Sequence, residues 1–309
     1  DIRKYNEDFE PKTPGMKPCV LYITMENTFT ETIERIWNME FDDNITNYSE
    51  EEAVERLSEA MGFNISKNRD EDGNDDRLQF RSEEGHQNIE IIIKYFPYRE
   101  ISTDDLFTII QDLREDNMEV CCLVLDYIKR IRPATSMTSD TTKTELARIV
   151  NELKALSVID DMPVVTAHQS NRAGAMAVDN AVRQGKGDVT KLVGRENTGD
   201  AWEIIESIDW GAFINVEYKP GTDEKYLAIN VVKRRRIDSS EAEFAKYTYI
   251  AHPFAKENQF RLLDDMNQEK ILSLKSLVSD IDVNGKEKTN ATARLKNMEP
   301  SEFIDIDDE

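Results

Sequence analysis

Six runs of apolar and β-branched residues punctuate the chain, at 19–25, 89–96, 120–126, 163–168, 211–218 and 226–233, and each has the length and composition of a strand. Several are apolar at successive positions instead of alternating, as in Cys19-Val20-Leu21-Tyr22-Ile23 and Cys121-Cys122-Leu123-Val124-Leu125. A strand with no polar face is one that helices cover on both sides, so these runs predict a parallel sheet. Helical patterns lie between the first four runs. Capping boxes open them: Thr28 with Glu31, Ser49 with Glu52, and Thr142 with Glu145. In the last, Leu146, Ile149, Val150, Leu153 and Leu156 keep the helical period. Alternation of this kind predicts an α/β fold with right-handed crossovers.

Beyond Gly211 the strands are no longer separated by long helices, and Pro220-Gly221-Thr222-Asp223 reads as the turn of a hairpin. The predicted architecture is a mostly parallel twisted sheet flanked by helices, with an antiparallel hairpin extension on the C-terminal side. Residues 64–88 are dense in Asp, Glu, Arg, Asn and Gly and read as a surface insertion. Residues 1–266 are expected to form one core. From 267 to 309 the hydrophobic content falls, leaving a short helical pattern over 270–281 and a flexible acidic tail. The tail's apolar Phe303, Ile304 and Ile306 among acidic residues would suit a basic partner, or the segment serves only solubility.

The chain has 309 residues, 39% of them hydrophobic, which is ample for a core. No run approaches the ~20 apolar residues needed to span a bilayer, and the first residues lack a signal-peptide pattern. Cys19, Cys121 and Cys122 sit in strand-like runs without disulfide or zinc spacing. A cytoplasmic protein with no membrane partner is expected. The formal charge of −23 argues against a broad basic surface of the kind that binds nucleic acid non-specifically.

Four places carry candidate chemistry. Asp126 ends the apolar run Leu123-Val124-Leu125, where a carboxylate can sit near Mg²⁺ at the carboxyl edge of a sheet. Glu26 follows the strand ending in Ile23-Thr24-Met25, where it could polarise water for attack on a phosphate. The run Val164-Val165-Thr166 leads into His168-Gln169-Ser170-Asn171-Arg172, which brings an amide and a cation to the same edge. Lys233-Arg234-Arg235-Arg236 ends a hairpin strand, and the period of two puts Lys233 and Arg235 on one side. Each has a plainer reading: Asp126 as a strand-end turn residue, Glu26 as an anion favouring the helix that starts near Thr28, the cations as a solvated cluster.

The order and spacing of these elements, from about Cys19 to Asp265, resemble the motor domain of DnaB-type replicative helicases, a branch of the RecA-like family. That family's Ser-Leu-Glu-Met motif is matched by Thr24-Met25-Glu26-Asn27, with asparagine a departure in the last place. Its Ile-Asp-Tyr motif resembles Leu125-Asp126-Tyr127, its Ser-Gln-Leu-Asn-Arg motif His168-Gln169-Ser170-Asn171-Arg172, and its Arg-Glu-Ser-Gly stretch, more loosely, Arg195-Glu196-Asn197-Thr198-Gly199. Its Lys-x-Arg resembles Lys233-Arg234-Arg235, although the chain continues into Arg236-Ile237 where the family has Asn-Gly.

The resemblance implies catalytic roles for Glu26, Gln169, Lys233 and Arg235, with Lys233 and Arg235 reaching the nucleotide of a neighbouring subunit. Asp126 would hold Mg²⁺ and, with Arg172, bind the nucleotide. Loop residues Arg183, Lys186, Lys191 and Arg195 would contact the backbone of single-stranded DNA. The implied cofactors are ATP and Mg²⁺; the implied partners are single-stranded DNA, further copies of the chain in a ring of six, and a primase or helicase loader. A ring can also confine its positive charge to a central channel, which reconciles DNA binding with the acidic total.

A G-x-x-x-x-G-K-[ST] phosphate-binding loop is missing from the sequence, which also begins with Asp. We expect a fragment whose loop lies upstream and which alone hydrolyses ATP poorly or not at all. Two other readings fit the same residues: a RecA-like recombinase or mediator, and a non-catalytic RecA-like interaction module that uses its acidic surface.

Overall fold

The computed structural model describes residues 9–41, 43–61, 63–69, 75–82, 89–135, 141–169, 172–183, 190, 202–218, 225–235, 247–250, 254–255, 259–260 and 272–273. The chain divides into two compact units, Asp1–Gln169 and Ser170–Glu309.

In the first unit, strands β1 (Lys17–Thr24), β2 (Phe63–Arg69), β3 (Asp75–Ser82), β4 (Glu90–Tyr95), β5 (Met118–Asp126) and β6 (Val164–Thr166) form one sheet in the order β2-β3-β4-β1-β5-β6. The pairs β4–β1, β1–β5 and β5–β6 are parallel, and β2–β3 and β3–β4 antiparallel. The central strands have the burial that their continuous apolar runs predict: Cys19, Leu21, Ile23, Ile92 and Leu123 are wholly shielded from solvent. Strand β6 differs, because it is the last strand of the sheet among the described residues and Val165 is half-exposed.

Helices flank this sheet. They are α1 (Phe29–Glu40), α2 (Glu50–Met61), α3 (Thr103–Glu115) and α4 (Thr142–Ile159), with single 3-10 turns at Ile45–Asn47 and Ile128–Arg130. The boxes at Thr28–Glu31 and Ser49–Glu52 form as expected. Helix α3 has a box of its own, between Ser102 and Asp105. The box expected at Thr142 does not form: Thr141 caps α4 one residue earlier, and Glu145 instead pairs with Arg99 at 2.9 Å. The five apolar residues predicted for its inner face, Leu146 to Leu156, are all buried.

The expectation of a surface insertion over 64–88 needs correction. Phe63, Ile65, Leu78 and Phe80 turn inward from the β2–β3 hairpin and join Phe29, Ile33 and Trp37 of α1 and Leu57 of α2 in one core cluster. Alternation hides such a strand from a composition count, since every second residue faces away from the core. Residues 70–74 and 83–88 lie outside the described residues.

The second unit holds helices α5 (Arg172–Arg183) and α6 (Trp202–Ser207) and strands β7 (Trp210–Tyr218), β8 (Lys225–Arg234), β9 (Tyr247–Ile250), β10 (Phe254–Ala255), β11 (Gln259–Phe260) and β12 (Leu272–Ser273). The antiparallel hairpin predicted after Gly211 is β7–β8, continued by β9 and β12 in the order β12-β9-β8-β7; β10 and β11 pair separately. Its turn at 220–223 lies outside the described residues, as do the boundary near 266 and most of the tail. Leu272 and Ser273, expected in a helix, pair with Tyr249 and Thr248 of β9.

Candidate functional site

Parallel strands that start together also end together, so the carboxyl edge of β1, β5 and β6 gathers whatever residues follow them. Glu26 follows β1, Asp126 closes β5, and Gln169 follows β6, with β5 lying between the other two. The three residues proposed from sequence thus belong to one edge of one sheet.

The ends of β1 and β5 are tied tightly. Thr24 and Asp126 are register partners, and Met25 donates its backbone N–H to the carbonyl of Asp126. Thr24 is buried, and its hydroxyl both accepts from the N–H of Asn27 and donates to the carbonyl of Asn27, at 3.1 Å each. That clamp shapes the 24–27 turn and sets Asn27 beside β5. The Asn27 amide then donates to Asp126 Oδ2 at 3.2 Å, and the Tyr22 hydroxyl donates to the same oxygen at 2.9 Å. Burial first, and then the neighbouring carboxylate, push the Tyr22 phenol well above its ordinary pKa, so it stays a donor.

Glu26, at the middle of the turn, projects outward with its side chain 44% exposed. Its carboxylate meets the Arg130 guanidinium at 3.3 Å. Arg130 in turn lies over the rings of Tyr98 and Tyr127, 5.4 Å from each centroid. The ends of β5 and β6 are linked by Thr166, whose hydroxyl donates to Leu125 O and accepts from Ile128 N. Gln169 is exposed. The Asp126–Tyr127 peptide is cis.

The other candidates fall in the second unit. Arg172 opens α5 and Arg183 closes it, the latter exposed. Lys233 donates to the carbonyls of Ile205 and Glu206 at the end of α6, where a cation meets the negative end of the helix. Arg235 pairs with Asp209 at 2.8 Å and is well exposed. The Arg172 side chain and all of Lys186, Lys191 and Arg195 lie outside the described residues.

A family model for a divergent DnaB-like ATPase matches residues 4–286. The chain belongs to the divergent DnaB-like ATPases. No curated protein matches its sequence. A solved structure described as "The Structure Of A DnaB-Like Replicative Helicase And Its Interactions With Primase" is similar, with a TM-score of 0.51 and 16% identity over 80% of this chain. The match spans 52% of that longer chain. The shared fold is a RecA-like one, a mostly parallel six-stranded sheet flanked by helices with an antiparallel hairpin beyond it.

An ATPase family implies a nucleotide and Mg²⁺. Mg²⁺ commonly takes one or two protein carboxylates, with phosphates and waters completing its shell. Asp126 fits: among the described residues it pairs with no cation, and its two donors are neutral. Among the described residues no cluster of three or more His, Cys, Asp or Glu could hold a metal without a nucleotide, and no helix is long and apolar enough to cross a membrane.

Three residues of this edge escaped the sequence reading of roles. Tyr22 stood inside an apolar run; Arg130 stood in an ordinary polar turn; Asn27 was visible only as a departure from the resembled motif. That departure was the one usable signal.

Proposed function

We propose that this domain is the motor of a ring-forming replicative DNA helicase that couples ATP hydrolysis to movement along single-stranded DNA and to duplex unwinding. Placement of Glu26, Asp126 and Gln169 at the ends of three neighbouring strands carries this reading. The sequence holds no G-x-x-x-x-G-K-[ST] loop, so the hydrolysis proposed needs such a loop from outside these 309 residues.

In this mechanism Glu26 accepts a proton from the attacking water once Arg130 releases it. Asp126 would hold Mg²⁺, which would supply charge to offset that of the phosphates. Gln169 donates its amide to the γ-phosphate and relays its loss to the DNA-binding loops; Arg172 also binds the nucleotide. Lys233 and Arg235 act on the nucleotide of the adjacent subunit, a contribution worth ~10³ to 10⁵ in rate where a cation is supplied this way. The residues Arg183, Lys186, Lys191 and Arg195 contact the DNA backbone. Six copies form the ring, and a primase or a helicase loader docks on it; the similar solved structure is described with primase.

The test is ATP turnover, with and without single-stranded DNA, by a chain extended to include a phosphate-binding loop, beside its Glu26→Gln variant. DNA-stimulated turnover that the variant loses by ~10²-fold or more is expected. Turnover absent from the extended chain would replace the motor with a non-catalytic interaction module.

A further inference from the structure

We propose that Asn27 and Tyr22 are positioning residues for Asp126, fixing its carboxylate by donating to one of its oxygens and leaving the other for a divalent cation. This rests on the reading of Asp126 as the cation-holding carboxylate.

The geometry begins with strand register. Thr24 of β1 stands opposite Asp126 of β5, and Tyr22, two residues back, shares the face of Thr24. The Tyr22 hydroxyl can therefore reach diagonally to the Asp126 side chain, and does so at 2.9 Å. Asn27 arrives from the other direction. The β1 chain turns through Met25 and Glu26, and the buried Thr24 hydroxyl holds the backbone of Asn27 from both its N–H and its carbonyl. Those two bonds use only the Asn27 main chain. Its side-chain amide is left to bridge to Asp126 Oδ2 at 3.2 Å.

Both donors choose Oδ2, and among the described residues Oδ1 takes none. Two bonds to one oxygen restrain the carboxylate from rotating about its Cβ–Cγ bond. Neutral donors do this without placing a positive charge beside the carboxylate, whereas an arginine or lysine in either place would compete with the cation. Asn27 stands where the resembled motif has methionine, whose side chain has no N–H to offer. The departure is thus accounted for by a bond that methionine cannot make. Outer partners of this kind govern affinity by orienting the ligand, and losing one typically costs about 10- to 100-fold in metal affinity.

The experiment compares Asn27→Ala, Tyr22→Phe, their double variant and Asp126→Asn in the chain extended with its phosphate-binding loop. Two quantities are read: Mn²⁺ affinity by electron paramagnetic resonance with a non-hydrolysable ATP analogue present, and the Mg²⁺ concentration giving half-maximal turnover. Each single variant should weaken Mn²⁺ binding by about tenfold and raise the Mg²⁺ requirement in parallel, with turnover largely recovered at saturating Mg²⁺. A purely structural role would lower the unfolding temperature or the maximal rate without moving the Mg²⁺ requirement. Unchanged Mn²⁺ affinity in Asn27→Ala and Tyr22→Phe, beside a large loss in Asp126→Asn, would overturn the positioning role alone. Unchanged affinity in Asp126→Asn would overturn the reading of Asp126 itself.

Discussion

Arg130 and Glu26 form an ion pair at 3.3 Å across the ends of β5 and β1, with Arg130 seated against Tyr98 and Tyr127. In the proposed mechanism Glu26 accepts a proton from water, whereas in this conformation its carboxylate is held by a guanidinium. Breaking so exposed a pair is not costly, because solvent screens it. Arg130→Gln should therefore raise DNA-independent ATP turnover of the loop-containing chain by roughly two- to fivefold while barely changing stability. Steady-state turnover without DNA checks this; an equal rate would mean that Arg130 does not restrain hydrolysis, and a lower one that it assists it.

Arg235 is ion-paired with Asp209 of its own chain and largely exposed, so it is free to exchange partners at little energetic cost. If it completes a neighbour's nucleotide site, Arg235→Ala and Glu26→Gln subunits should each be inactive alone. Mixed, they should regain part of the turnover, since some interfaces then pair an intact Glu26 with an intact Arg235. Titrating one variant into the other and measuring turnover decides the matter. A mixture as inactive as its components would place Arg235 outside any shared site.

The β2–β3 hairpin is part of the core, since Phe80 is 1% exposed and packs edge-on against the buried Phe63, with ring centroids 5.9 Å apart. Phe80→Ala should cost about 3–5 kcal/mol, the usual loss for removing a buried aromatic ring. Denaturant unfolding measures it. A loss below about 1 kcal/mol would restore the reading of 64–88 as a surface insertion.

The legibility of the chain follows from burial. Strands β1 and β5 are covered on both faces, so their sequences are continuous apolar runs that locate them and the carboxylates at their ends. Strands β2 and β3 carry few apolar residues, and the polar Lys67, Asn68, Arg77, Arg81 and the buried Gln79 among their residues disguised them as loop. Asp126 was legible because it ends such a run. Its partners were not, because Tyr22 and Asn27 meet it only through β1–β5 register and the Thr24 clamp, which are properties of the folded sheet.

Glu119 offers a test of how the start of the chain is held to this sheet. It is buried on β5, and its two oxygens accept the backbone N–H groups of Lys12 and Thr13 at 2.7 and 2.8 Å. Burial pushes its pKa up, but the donated N–H groups outweigh that and hold the carboxyl below its ordinary value. A depressed folded-state pKa stabilises the native chain above the ordinary carboxylate pKa of about 4.3, and the contribution is lost as pH falls through the folded value. Glu119→Gln should accordingly lower the unfolding temperature at pH 7, where the wild-type carboxylate is ionised. Its difference from wild type should shrink steadily below about pH 4, as the wild-type group protonates and becomes a neutral acceptor like the amide. Calorimetry at a series of pH values reads both effects. A difference that stays constant down to pH 3 would assign the loss at neutral pH to altered packing, with no part played by the carboxylate's charge.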